Sequence, residues 1–157
     1  MLLKAVITTF LISMIPVIEL RGALPIGVGM GLHPLAALIV SVIGNLIPLP
    51  FLILFTKRVF SWLRKHFPKL DKIILKLEER AEAKRETVEK YKFWGLFIFV
   101  AIPLPGTGGW TGALIAAMMD MRLKKAFPAI TLGVLTAGLI VFLITYVFHV
   151  SVPLITN

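Results

Sequence analysis

Two charged residues, Glu19 and Arg21, stand alone in a long apolar part of the chain. They are the only formal charges between Lys4 and Lys57. Charges at membrane depth are expensive, so they usually face a protein interior or a water-filled cavity and carry function. A carboxylate there can take up and release a proton, and a guanidinium presents a planar fork to a phosphate or carboxylate. We therefore predict that Glu19 couples a proton and Arg21 anchors a substrate; alternatively, the two only pair with each other.

A glycine-rich segment in the second half supplies further candidate residues. Pro103 to Gly112 holds four glycines, two prolines and two threonines. Such a break leaves backbone N–H and C=O groups unpaired, and a helix N-terminus that follows it suits an anion. The alternative is close helix packing through small residues. Together with Arg21, the residues predicted to bind substrate are Asn45, Thr107, Gly108, Gly109, Trp110 and Thr111.

The sequence does not indicate other kinds of site. The chain has no cysteine, and its three histidines are scattered along it, which speaks against a zinc site. The glycine-rich segment lacks the lysine of a phosphate-binding P-loop, and no Ser-His-Asp set stands out. We therefore predict a protein that is not an enzyme, with no catalytic residues, no metal and no cofactor.

The composition indicates an integral membrane protein. Of the 157 residues, 58% are hydrophobic and 16% charged, whereas soluble domains are nearer half apolar and about a quarter charged. The net charge is +9, but 12 of the 17 basic residues lie between Thr56 and Lys92. A basic stretch between apolar halves favours a cytoplasmic, lipid-facing segment over a nucleic-acid partner.

The apolar segments alternate between short and long. The first continuous run holds 14 residues, and a helix of that length spans about 21 Å, less than the hydrocarbon core of about 30 Å. We predict helical hairpins at 5–32 and 93–119, and full spans at 34–55 and 128–152. The basic stretch, 56–92, is predicted to be an amphipathic helix on the cytoplasmic surface, or else a solvated linker helix.

The two halves resemble each other. An Ile-Pro step occurs at Ile15-Pro16 and again at Ile102-Pro103, and Gly-Ala-Leu occurs at 22–24 and at 112–114. We interpret 1–55 and 93–157 as two repeats within one membrane domain, 1–157. Because basic residues mark the cytoplasmic side, the repeats would have opposite orientations, with each hairpin re-entering on its own side. Four plain membrane spans are the simpler alternative.

Three motifs resemble one known family. They are Glu19-Leu-Arg-Gly-Ala-Leu-Pro25, Gly44-Asn-Leu-Ile-Pro-Leu-Pro50 and Ile102-Pro-Leu-Pro-Gly-Thr-Gly-Gly-Trp-Thr-Gly-Ala-Leu-Ile-Ala116. They are similar to the small multi-drug export proteins, and the likeness covers nearly the whole chain. That family looks distantly similar to the DedA/VTT membrane proteins. The resemblance implies a transporter, and the wider group implies two re-entrant hairpins, proton coupling and lipid translocation.

These observations predict an all-α membrane protein built as an inverted repeat. Its predicted function is transport or flipping of a small or amphipathic, anionic substrate such as a lipid phosphate, coupled to protons. The alternatives are a cationic multidrug/proton antiporter of four plain spans and a non-transporting scaffold. The predicted location is the prokaryotic cytoplasmic membrane, crossed several times. The predicted partners are membrane lipids, a small-molecule or lipid substrate and a second copy in a homodimer.

Overall fold

The described part of the chain is helical. A computed structural model describes residues 2–66, 71–76, 78–80, 82, 92–104 and 106–155, and no strand occurs among them. Seven labelled helices follow one another within these residues: α1 Leu2–Ser13, α2 Glu19–Gly29, α3 Pro34–Leu46, α4 Leu49–His66, α5 Phe93–Ala101, α6 Gly109–Met118 and α7 Leu123–Ile155. The all-α prediction is confirmed for this part of the chain.

Two helical stretches are long and apolar enough to cross a membrane. They are Pro34–His66, with 33 residues, and Leu123–Val147, with 25 residues. At about 1.5 Å per residue, each exceeds the hydrocarbon core of about 30 Å. The first stretch is interrupted between α3 and α4, next to Pro48 and Pro50, and prolines disturb a regular helix. These lengths and compositions agree with a membrane protein.

Both long helices are longer than the predicted spans, and the largest difference lies at one end of each. The first continues past residue 55 to His66, because lysine and arginine are good helix formers that extend their charged ends into water. The second begins at Leu123, five residues before the predicted start at 128. Its first turn is closed by the carbonyl of Arg122, which accepts from the amides of Lys125 and Ala126.

The short helices pack in two consecutive pairs, α1 with α2 and α5 with α6, and we call each pair a hairpin. On α2, a Cβ at Gly27 would lie 2.6 Å from Oγ1 of Thr9 on α1. On α6, a Cβ at Gly112 would lie 2.6 Å from the Val100 side chain on α5. These four helices have 9 to 12 residues each, so none exceeds about 18 Å in length.

The second helix of each hairpin ends in the same way. The amide of Leu32 donates to the carbonyl of Gly27 at 3.0 Å, and the amide of Met121 donates to the carbonyl of Ala116 at 2.9 Å. The residue before each donor has a positive φ, +89° in the first half and +51° in the second. This is a Schellman-type helix end. The two ends lie 121 − 32 = 89 residues apart.

The glycine of each long apolar segment occupies an equivalent place. A Cβ at Gly44 would lie 2.7 Å from the Phe10 carbonyl on α1, and a Cβ at Gly133 would lie 3.0 Å from the Phe97 carbonyl on α5. The two glycines are 133 − 44 = 89 residues apart and the two phenylalanines 97 − 10 = 87. Close backbone contact of this kind needs a residue without a side chain.

α7 is the central helix of the described structure, because it contacts α2, α3, α4, α5 and α6. Its inner face carries Ala126, Ile130, Val134 and Ala137, all of them buried. Large apolar side chains lie exposed on the outer faces of the long helices, as expected for helices in contact with lipid.

The basic stretch 56–92 is described only in part. It begins inside α4, and residues 71–76, 78–80 and 82 are helical, while the rest of the predicted amphipathic helix lies outside the described residues. An ion pair of 2.6 Å joins Lys57 on α4 to Asp120 in the turn after α6. The end of the second hairpin is therefore next to the start of the basic stretch.

Membrane topology can be tested with single cysteines at His33, Met121 and Lys4. We expect residue 121 to be labelled from the cytoplasmic side, because Lys57 contacts the turn before it, and residue 33 from the outside. Residue 4 should be labelled with residue 33 if α1 and α2 re-enter. Labelling of residues 4 and 33 from opposite sides would instead indicate a full first span.

Candidate functional site

Glu19 lies at the break between α1 and α2 and points into the protein. The chain turns sharply there, with positive φ values at Val17 (82°) and Glu19 (50°), which are uncommon for residues other than glycine. The Glu19 residue is only 5% exposed. The sequence-based position of this carboxylate at a hairpin break therefore agrees with the structure.

The Glu19 carboxylate lies at the N-terminus of α6 in the other half of the chain. Its Oε1 accepts a hydrogen bond of 3.0 Å from the backbone amide of Trp110. Unpaired amides and the helix dipole make such an N-terminus an anion site. The Glu19 carboxyl group therefore occupies the place that was predicted for a substrate anion.

Gly108 leaves the space that this carboxylate fills. A Cβ at Gly108 would overlap the Glu19 carboxylate oxygens. The backbone at Gly108 has φ −82° and ψ −171°, which any residue can adopt. The glycine is therefore needed for space and not for its conformational freedom.

Arg21 contacts the other side of the same break. One guanidinium nitrogen, Nη1, donates to the carbonyl of Leu104, and Nη2 donates to the carbonyl of Ile102 and to Oγ1 of Thr107, both at 3.2 Å. The Thr107 hydroxyl bonds to the same two carbonyls, at 2.7 and 2.8 Å. Because these carbonyls follow the C-terminus of α5, the guanidinium lies where the helix dipole favours a cation.

The two charges do not form an ion pair with each other in the described structure. Each contacts the second hairpin instead, Glu19 at the beginning of α6 and Arg21 just after the end of α5. The two residues thus connect the breaks of the two hairpins, which are more than 80 residues apart in sequence.

Two further polar groups near this contact are buried without a partner in the described structure. Asn45 is fully buried, and neither Oδ1 nor Nδ2 of its amide has a hydrogen-bond partner. A Cβ at Gly109 would lie 3.4 Å from that Nδ2, so the amide is beside the start of α6. The indole Nε1 of Trp110 is also buried and unpartnered. Groups of this kind are uncommon in native proteins and call for an explanation.

The structure brings most of the predicted site residues together at one point, which we call the hairpin junction. It contains Glu19, Arg21, Asn45, Thr107, Gly108, Gly109 and Trp110. No described contact joins Thr111 to the side chain of Glu19 or of Arg21. The carbonyls of Ile102 and Leu104 were not predicted, because backbone acceptors have no sequence signature. Ser41, one turn before Asn45, was also missed; its hydroxyl is buried and unpartnered.

No group of three or more His, Asp or Glu residues that could hold a metal ion occurs among the described residues. The hairpin junction provides hydrogen-bond donors, backbone acceptors and one carboxylate. This arrangement is able to hold an anion or a proton in a water-poor setting.

Comparison with known proteins agrees with the sequence motifs. No curated protein and no solved structure matches the chain. The wider likeness to DedA/VTT proteins is not shown by these comparisons and stays a prediction. One family model matches residues 19–140, a range that begins at Glu19 and includes both halves of the hairpin junction. The chain therefore belongs to the family described as putative small multi-drug export protein.

Proposed function

We propose that this protein is a membrane transporter, not an enzyme, that moves a small or amphipathic anion together with a proton. The family description supports the transporter class. The observation that carries the proposal is the buried Glu19 carboxylate, which accepts the Trp110 amide at the N-terminus of α6. Glu19 is the proton-coupling residue in this proposal.

Coupling follows from competition for the same amides. While Glu19 is ionised, it occupies the anion site at the start of α6. Once protonated, it loses the charge that the helix N-terminus and the amide of Trp110 favour. A substrate anion can then take its place. Anion binding thus requires proton uptake, and the two move in the same direction across the membrane.

Asn45, Thr107 and Trp110 are the polar side chains proposed to meet the substrate, along with the backbone of Gly108 and Gly109. The Asn45 amide and the Trp110 indole N–H support this role, because both are buried beside the start of α6 with unused hydrogen-bonding capacity. A buried polar group without a partner costs about 1–3 kcal/mol. A ligand that supplies the missing partners would recover that cost.

Arg21 has two possible roles in this proposal. Its present contacts with Ile102, Leu104 and Thr107 make it a positioning residue that holds the second break beside Glu19. A direct role as substrate anchor requires these contacts to open when the substrate arrives. The planar guanidinium fork serves either role better than an ammonium group.

The architecture proposed for transport is an inverted repeat of two re-entrant hairpins and two spans in the cell membrane. The matching helix ends and the matching glycine contacts support a repeat. The contact between Thr9 on α1 and Gly27 on α2 favours a hairpin over a plain first span. Two spans and two hairpins are too few to surround a transport pathway, so we propose a homodimer in contact with membrane lipids.

The alternative functions each have one supporting observation. The family description favours a drug as substrate, and for a cationic drug Glu19 would be the counter-ion. A cation that displaces a proton from Glu19 would move in the opposite direction to that proton. The contacts of Arg21 favour a scaffold, because they use the guanidinium for internal bonding.

The purified protein in proteoliposomes can distinguish these functions. The probes are sulfate, dihexanoylphosphatidylglycerol and the cation tetraphenylphosphonium, each followed across an imposed pH gradient. Accumulation of an anion on the side to which protons flow supports our proposal. Movement of the cation against protons, with no anion movement, would establish the antiporter instead. No protein-dependent movement of any probe, under either gradient direction, would support the scaffold.

Replacing Asn45 by leucine distinguishes a role of Asn45 in substrate binding from a role in packing. Leucine has the same number of side-chain heavy atoms as asparagine, in a similar branched shape, and no unpaired polar atoms. We therefore expect the free energy of unfolding to stay the same or increase by about 1 kcal/mol. Anion transport should fall at the same time, because the ligand loses its amide partner. Melting temperature and uptake are measured on the same preparation. A stable variant with unchanged uptake would remove Asn45 from the substrate site.

A further inference from the structure

A basic pocket and an apolar groove lie next to each other along α4. The basic pocket has a volume of about 550 Å³ and is lined by Lys57, Ser61, Arg64, Lys65, Glu78 and Met118. The apolar groove has a volume of about 440 Å³ and is lined by Met14, Pro48, Phe51, Phe55, Val59 and Trp110. Thr56 and Phe60 line both, so the two cavities are adjacent along one helix.

We propose that an anionic phospholipid binds along α4, with its phosphate in the basic pocket and one acyl chain in the apolar groove. This inference does not depend on transport. It concerns a lipid bound at the basic end of α4, whatever the substrate of the hairpin junction is.

The charges of the basic pocket suit a phosphate. Its lining has three cations, Lys57, Arg64 and Lys65, and one carboxylate, Glu78. Arg64 is already paired with Glu78 and with Asp71, so the two lysines are the cations left for a phosphate. Lys65 has no acidic partner among the described residues. Lys57 pairs with Asp120, but their side chains are 52% and 80% exposed. Exposed pairs contribute little stability, so a phosphate can compete for the lysine at small cost.

The length of the apolar groove suits an acyl chain of one leaflet. From Phe51 to Phe60 is nine residues, which is about 14 Å along a helix, close to half of the hydrocarbon core of about 30 Å. Phe51 is 64% exposed, so the groove opens outward where lipid can enter. At its far end lies Trp110, which therefore can report on a chain in the groove.

Tryptophan quenching by brominated lipids tests this site. Trp62→Phe and Trp94→Phe leave Trp110 as the single tryptophan of the full chain. The protein is placed in phosphatidylcholine nanodiscs that contain either phosphatidylglycerol or extra phosphatidylcholine with bromine on the acyl chains. We expect the anionic lipid to quench Trp110 with about a tenfold higher apparent affinity, as two partly screened surface cations allow.

Two charge variants decide whether the basic pocket causes the preference. Lys57→Gln with Lys65→Gln should abolish it. Arg58→Gln with Lys72→Gln removes the same charge outside the pocket and should keep it. A further pair of variants tests whether lipid reaches the groove. Val59→Trp places an additional indole ring in the groove, and Leu54→Trp places one on the outward face of the same helix. The quenching of these two rings by the same brominated lipids is compared.

Three results would overturn the proposal. Equal quenching by the anionic and zwitterionic lipids would exclude a phosphate site. A preference that both double variants keep would place the anionic lipid elsewhere. Protection of Trp110 and of the Val59→Trp ring from every brominated lipid, with Leu54→Trp quenched, would indicate that protein, such as a second copy, covers the groove.

Discussion

Replacing Glu19 by glutamine is expected to abolish proton-driven anion accumulation while the protein stays folded. Glutamine keeps the shape of the side chain, and its carbonyl oxygen can still accept the Trp110 amide at the start of α6. Glutamine also avoids the cost of burying a charge, which offsets the weaker hydrogen bond of a neutral acceptor, so the melting temperature should stay close to that of the wild-type protein. Uptake across a pH step should fall to the level of liposomes without protein.

The surface carboxylate Asp120 provides the matched control. Asp120→Asn removes the same charge from an exposed position in the turn after α6, and it should leave uptake unchanged. Anion exchange without a pH gradient should persist in Glu19→Gln, because the variant resembles the protonated carrier. Full proton-driven uptake by Glu19→Gln would exclude Glu19 as the proton-coupling residue.

Replacing Gly108 by alanine is expected to be strongly destabilising. The new Cβ would overlap the Glu19 carboxylate and displace it from the α6 amides. A buried charge that loses its partners costs about 3–5 kcal/mol, so a clear fall in melting temperature and a loss of transport should follow. The conformation of Gly108 suits alanine, so backbone strain would not contribute.

A second substitution shows whether the carboxylate is the cause. Glu19→Ala in the Gly108→Ala background removes the overlapping group and should recover much of the melting temperature without recovering transport. Gly29→Ala serves as the control, since a Cβ there meets nothing within 4 Å and the residue lies in α2. Wild-type stability and uptake in Gly108→Ala would contradict the described contact.

Much of the fold follows from segment length and charge. Runs too short to cross a membrane, each followed by a proline or glycine break, predict the hairpins α1–α2 and α5–α6. The prolines after Asn45 predict the interruption between α3 and α4. The C-terminal end of α4 and the N-terminal end of α7 are less predictable. Each helix continues beyond its apolar part through lysine and arginine residues, and α7 also accommodates Pro128.

The candidate site could be predicted as residue types but not as contacts. The isolation of Glu19 and Arg21 in apolar sequence signals function or pairing, yet their partners are the amide of Trp110 and the carbonyls of Ile102 and Leu104. Nearly every residue has a backbone amide and a carbonyl. These particular groups are therefore identified only by the contact between two breaks that are far apart in sequence. For the same reason, the sequence does not reveal that the anion site at the start of α6 is occupied by a carboxylate from the other hairpin.

The most direct test of the central claim is the number of protons that the protein takes up when an anion binds. Dihexanoylphosphatidylglycerol, whose phosphodiester keeps one charge at neutral pH, is added to the purified protein in a weakly buffered solution with a pH indicator. The proposed coupling predicts uptake of about one proton per bound anion by the wild-type protein and none by Glu19→Gln, because the anion must displace a protonated Glu19 from α6. Binding of the anion without proton uptake, or with proton release, would contradict it.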